Sequence, residues 1–156
     1  MPIALPIVGP SFLLSQVGAH AAHDFGVRLE AIGLTPQHAG ILRLLGVAPG
    51  PTQRALAERL GVLPSRLVAL LDQLEAGGFV ERRRDEADRR THRLHLTGEG
   101  AAALAEVGRI TEELERDLFV ALEPAERDVL IGFLRRVASQ QGLLPGIHPA
   151  WRSAGS

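Results

Sequence analysis

The chain has 156 residues, 46% of them hydrophobic but only 4% aromatic, and its 17 basic and 18 acidic residues leave a net charge of -1. That length and composition suit one domain, residues 1–156, whose modest core must rest on Leu, Val, Ala and Ile. The absence of Cys excludes disulfides, a Cys-ligated metal and a thiol redox sensor, and the absence of Lys excludes a G-x-x-x-x-G-K-S/T phosphate loop.

In chain order, Met1 to Pro10 carries prolines at 2, 6 and 10 among Ile, Leu and Val, which suggests an extended arm. This apolar start lacks a basic n-region, and no apolar run approaches the roughly 20 residues of a membrane span, so a cytoplasmic protein is the economical reading. Ser11 can cap a helix in which Leu14, Val17, Ala21, Phe25, Leu29 and Ile32 recur every three or four residues until Gly33. Thr35 as N-cap and Pro36 at the first helical position then start a second helix, with Ile41, Leu42 and Leu45, that stops at Gly46. Pro49-Gly50-Pro51 makes a rigid turn.

A short helix from Gln53 to Leu60 ends at Gly61, and after Val62 and Leu63 another runs from Pro64 to Ala76 before Gly77-Gly78. This is helix-turn-helix punctuation. At about 100° per residue Leu67, Leu71 and Leu74, with Leu70 beside them, form the buried stripe. Arg66, Ala69 and Gln73 form a second, outward line, with Ser65 next to its start. Arg can pair bidentately with guanine, Gln with adenine, and Ala can touch a thymine methyl, so the line has the chemistry for major-groove readout. A plain solvated helix face would carry the same residue types.

Two β-prone runs follow, Phe79 to Arg84 and Thr91 to Leu96, joined by a polar turn through Asp85, Glu86, Ala87 and Asp88. That is a hairpin, or wing. Between Glu81 and Arg93 six arginines (82, 83, 84, 89, 90, 93) face four acids (81, 85, 86, 88), so the segment is basic by two in a chain of net charge -1. Arg84, Arg89 and Arg90 are its candidate DNA contacts. Arg89 and Arg90, just past the tip, can enter a narrow minor groove, and Asp88 can hold one of them by a bidentate pair.

Thr97 caps a long helix with Leu104, Val107, Thr111, Leu114, Leu118 and Ala121 at near-heptad spacing, and Pro124 opens a last helix with Leu130, Phe133, Leu134 and Val137 on one side. These helices and the first have apolar faces larger than the small head can cover. Pairing with a second copy would cover them, which makes residues 11–33 and 98–140 dimerisation helices around a reading head at 35–96. The fold expected is mainly α (α+β), a winged helix-turn-helix with N- and C-terminal helices.

The runs Leu56-Ala57-Glu58-Arg59-Leu60-Gly61 and Pro64-Ser65-Arg66-Leu67-Val68-Ala69-Leu70-Leu71-Asp72-Gln73-Leu74-Glu75, then Gly78-Phe79-Val80-Glu81-Arg82, Asp88-Arg89-Arg90 and Leu96-Thr97-Gly98-Glu99-Gly100, resemble the MarR family of winged-helix transcription regulators. The resemblance covers about Ser11 to Ser139. Leu63 departs from it, standing where many relatives carry Ser or Thr; Leu cannot N-cap, so this helix start leans on Pro64 and Ser65. The resemblance implies an interlocked homodimer, a pseudo-palindromic double-stranded operator, and Arg90 as the minor-groove arginine with Asp88 orienting it. It also implies a cleft between the dimerisation helices and the head for a small aromatic or amphipathic effector. His20, His23, Asp24, His38 and Arg43 are its polar candidates, beside Phe25, Ile41 and Leu42.

Two other readings compete with a ligand-responsive repressor. His20, His23 and Asp24, at i, i+3 and i+4, can face a metal, as in a metal-responsive regulator or a metal hydrolase, although ordinary surface or pocket-lining histidines fit this spacing better. A winged helix can also bind only protein. No G-x-S-x-G elbow is present, and neither an enzyme nor a cofactor is expected.

Overall fold

The computed structural model describes residues 8–153. Its elements are α1 (Pro10–Glu30), α2 (Pro36–Val47), α3 (Gln53–Leu60), α4 (Pro64–Ala76), β1 (Val80–Arg84), β2 (His92–Leu96), α5 (Gly98–Leu118), α6 (Pro124–Gln140) and α7 (Ala150–Ser153). Most of the arm expected at the N-terminus lies outside the described residues. Where Ser11 was expected to cap the first helix, Gly9 is the N-cap and Pro10 the first residue; Pro is favoured there because its missing N–H has no helical partner to lose. The helix also stops at Glu30, short of Gly33 (φ +73), and the intervening residues form a turn.

Polar caps set the other helix starts. The hydroxyls of Thr35, Thr52 and Thr97 accept from the N–H groups of His38, Ala55 and Gly100. Leu63 precedes α4 without a side-chain cap and Pro64 follows at the first position. Glu123, unmarked in the sequence reading, forms a reciprocal capping box with Glu126 that starts α6. Gly61, at φ +68, closes α3 in the left-handed conformation that an L side chain adopts at a penalty.

The core lies in the head and where α1 and α5 pack onto it. Leu29, Ile41, Leu42, Leu45, Leu56, Leu60, Leu67, Leu71 and Leu74 are almost fully buried, joined by Val80 and Leu94 from the hairpin and Val107 and Ile110 from α5. The leucine stripe of α4 is thus buried as its spacing implies. The hairpin is antiparallel, with Val80 opposite Leu96 and Arg84 opposite His92. Phe79 and Thr91 fall just outside it at opposite ends: Thr91 O accepts from Asp85 N–H in the turn, and Phe79 O accepts from Thr97 N–H where the chain leaves the hairpin for α5.

The third partner of the sheet is the loop after α2, where Gly50 N–H donates to Leu94 O and Leu94 N–H to Pro51 O, each at 3.0 Å. The chain following the hairpin also touches its backbone. Thr97 caps α5 and donates from its hydroxyl to Gly78 O, while a Cβ on Gly100 would stand 1.9 Å from Phe79 O. The Leu-Thr-x-x-Gly run is therefore a joint in which only glycine lets α5 lie against the end of the wing.

The outer helices contrast with this head. α6 buries none of its residues, and α1 buries only Leu29. Phe12, Leu13, Leu14 and Val17 on α1, and Val129, Ile131, Phe133, Leu134 and Val137 on α6, remain exposed. Ala121, expected to continue the long helical stripe, lies beyond the end of α5.

Candidate nucleic-acid interface

The helix α4 shows Ser65 and Ala69 exposed and Arg66 half-buried, on the side away from the buried leucines. Gln73 belongs to the same line, but its Oε1 lies 2.9 Å from His38 Nε2. His38 Nδ1 accepts from Thr35 N–H, which makes Nε2 the protonated nitrogen of the neutral ring and the donor to Gln73. The expected free adenine reader is therefore tethered to α2. His38 itself is 8% exposed and engaged at both nitrogens, so it is a structural residue of the α2 cap and not an open ligand contact.

The wing sorts its arginines by partner. Arg82 reaches from β1 to Asp72 at 2.7 Å and to Glu75, clamping the hairpin onto α4. Arg83 pairs with Glu81; Arg93 pairs with Asp85 and donates to Gly50 O at 3.1 Å. Among the described residues, Arg84, Arg89 and Arg90 make no such pair, and all three are exposed. Local basicity counted from the sequence therefore overstated how many cations are available, while the unpaired ones are those singled out as contacts.

Asp88 corrects an expectation. Its Oδ1 accepts from the backbone N–H of Arg90 at 3.0 Å and its Oδ2 from the Thr91 hydroxyl at 2.9 Å, so it fixes the backbone of the tip and holds neither guanidinium. Its short side chain reaches the N–H two residues on, as in an Asx turn. Asp85 is the organiser that sequence reading missed. Its carboxylate accepts from Ala87 N–H at 2.8 Å and from Arg93 Nε, and its own N–H donates to Thr91 O. These bonds, the Ala87 N–H first and Arg93 next, hold its pKa below the ordinary carboxylate value.

The effector candidates do not converge in the same way. His20 and His23 are exposed on α1; Asp24 is bonded to Arg28, which also reaches Asp117 on α5 at 2.6 Å. Arg43 Nη2 donates to Gly146 O at 2.6 Å. Ile41 and Leu42, expected as an apolar wall, are fully buried in the core, because the exposed face of α2 is the opposite one. A concavity of about 990 Å³ lies instead along α6, lined by Phe133, Arg136 and Val137 among others. Among the described residues no group of three or more His, Asp or Glu is gathered for a metal, so the histidines of α1 do not form the metal site weighed above. No helix among them is long and apolar enough to cross a membrane.

Comparison with known proteins agrees with this geometry. The MarR family model matches residues 32–91. A Thauera aromatica protein named for transcriptional regulation of the hcr operon is 36% identical over 113 residues, 72% of this chain and 68% of that protein. The structure of CouR, a transcriptional repressor bound to a 23-mer DNA duplex, superposes with a TM-score of 0.71 at 34% identity, covering 83% of this chain and 92% of that one. A mutant MarR from E. coli complexed with operator DNA gives a TM-score of 0.68 at 25% identity, over 81% and 91% of the two chains. The chain belongs to the MarR family, a class of non-enzymatic, DNA-binding transcriptional regulators with a mainly α winged-helix fold.

Proposed function

We propose that this regulator is a repressor that binds a pseudo-palindromic operator as a homodimer through the head at 35–96. The observation that carries the reading is the sorting of the wing arginines: Arg82, Arg83 and Arg93 hold the structure together, while Arg84, Arg89 and Arg90 stand exposed beside an uncommitted Arg66. Ser65, Arg66 and Ala69 meet base edges in the major groove; the three wing cations meet phosphates and the minor groove; Asp88 shapes the tip. Gln73, held by His38, positions α4 beside these readers. The bare apolar faces of α1 and α6 support a second copy as their cover, with 11–33 and 98–140 as the dimerisation segments. Two-fold symmetry then sets half-site centres about 10 bp apart.

Retardation of duplexes from beside its own gene, against random duplex at equal salt, tests the reading. A preferred duplex with a repeated, inverted footprint is expected. Equal retention of every duplex, or one unrepeated half-site, would overturn it, and retention of none at low salt would leave a protein-binding module.

We further propose that a small aromatic or amphipathic anion releases the DNA, and that the protein acts in the cytoplasm where its operator is. CouR is a transcriptional repressor by its description, which supports repression; for the ligand, Arg43 keeps an exposed guanidinium on α2 beyond the one nitrogen that Gly146 O occupies. Calorimetry with aromatic carboxylates, paired with operator titration, tests it: binding that leaves operator affinity unchanged would sink the coupling.

A further inference from the structure

The exposed face of α2 carries a seat that the C-terminal segment fills. Gly40 and Arg43, about one turn apart, lie opposite the buried side chains of Ile41, Leu42 and Leu45. The indole of Trp151 rests on Gly40 so closely that a Cβ there would stand 3.1 Å from its Cζ2 and 3.4 Å from its Nε1. Trp151 is only 7% exposed and belongs to the same apolar cluster as the head. A glycine inside a helix weakens it, so its use here has a reason: a Cβ would press the ring back from the bare backbone, and a large side chain would fill the seat. One turn further, Arg43 Nη2 donates to Gly146 O at 2.6 Å.

The segment reaches this seat through two left-handed glycines, Gly142 (φ +68) and Gly146 (φ +73), and is ordered by short-range bonds such as Ala150 N–H to His148 Nδ1 at 3.1 Å. The other side of α2 holds the DNA-reading helix, through His38 Nε2 donating to Gln73 Oε1. α2 is thus gripped from outside by the tail and grips α4 on its inside. The Trp151 ring on Gly40, the half-buried Ile147 and the Arg43 bond to a backbone carbonyl tie the segment to the surface of the head, and such peripheral contacts can open without unfolding the core.

We infer that residues 142–153 are a releasable strap whose Trp151, seated on Gly40, braces α2 and through it α4 in the arrangement that binds DNA. A seated strap means that less ordering remains to be done when the operator arrives, so the duplex is bound more tightly and, reciprocally, the bound duplex keeps the strap in place. The inference rests on the operator-binding reading of the same head.

Trp151 is the sole tryptophan of the chain and therefore its own reporter. In the full-length chain, Gly40→Leu fills the seat; Trp151 emission is expected to move red, acrylamide quenching to rise, and operator affinity to fall about 5-fold or more. Trp151→Ala should lower affinity by the same factor, and the double variant no further, because both remove one contact. Arg43→Gln, which leaves the core untouched, should give part of the same loss. Adding operator to the wild-type chain should reduce quenching. Operator affinity within twofold of wild type in both Gly40→Leu and Trp151→Ala, each with an intact cooperative melt, would overturn the inference, as would tighter binding or quenching that rises with operator. A wild-type chain that retards no duplex overturns the operator reading and the bracing role with it. That failure is told apart from the others because Gly40→Leu still reddens the tryptophan.

Discussion

At the scale of single residues, Arg66 and Asp88 separate readout from positioning. Arg66 makes no ion pair among the described residues and sits near the start of α4, where a guanidinium can meet a guanine edge. Arg66→Ala should weaken operator binding by about 1–3 kcal/mol and relax preference at one base pair, which binding to a set of singly substituted duplexes would show. Equal losses on operator and random DNA would refute it. Asp88→Ala adds net positive charge to the chain, so electrostatics alone predicts tighter binding. Because Asp88 anchors the N–H of Arg90 and the hydroxyl of Thr91, the expected outcome is weaker binding with a salt slope no steeper than wild type, measured by titration at several ionic strengths. Which face each residue occupies was legible in the helical period. That Gln73 is held by His38, 35 positions away, was not, since a period gives a direction and says nothing of what lies there.

Among the elements, the hinge between wing and α5 is where chemistry leaves least room. Gly100→Ala puts a methyl 1.9 Å from the backbone oxygen of Phe79, which cannot swing aside, so α5 must shift off the residue that leads into β1. A loss of about 3 kcal/mol, read from urea denaturation, is expected; an unchanged midpoint would show that the joint is soft. The wing carries a pH dependence of known sign. Asp85 has its pKa lowered on folding, by Ala87 N–H and then Arg93, so its contribution is present above the unfolded carboxylate value of about 4 and is lost as pH falls through the lower folded value. Operator binding should accordingly show no Asp85-dependent change between about pH 5 and 8, whereas Asp85→Asn should lower affinity throughout that range. Titrations of both chains at pH 5 and 8 check it. Helix starts at Thr35 and Thr97 were legible because a hydroxyl one residue before an apolar period has one common use; the Thr52 cap was not picked out. The Trp151 seat was not: a Pro/Gly-containing tail reads as a tail, and the glycine that receives its ring lies 111 residues earlier.

For the whole molecule, the division between a leucine-filled head and bare outer helices is what supports the proposed dimer. Phe133→Glu places a charge on the uncovered face of α6, where a charged group resists burial against a partner. Sedimentation should show the assembly falling from two chains to one with helix content kept, and operator binding should weaken with it; a variant that stays paired would place the interface elsewhere. In the proposed homodimer the Arg82 clamp works within each half. By tying β1 to Asp72 and Glu75, it makes α4 and the wing, the proposed major- and minor-groove elements, one stiff two-pronged plug. The phase between the two grooves read in a half-site is then built in, like the pin spacing of a connector. Operators can differ from one another in the gap between halves, which the outer helices set, but a base pair inserted inside one half would leave a prong with no groove to enter.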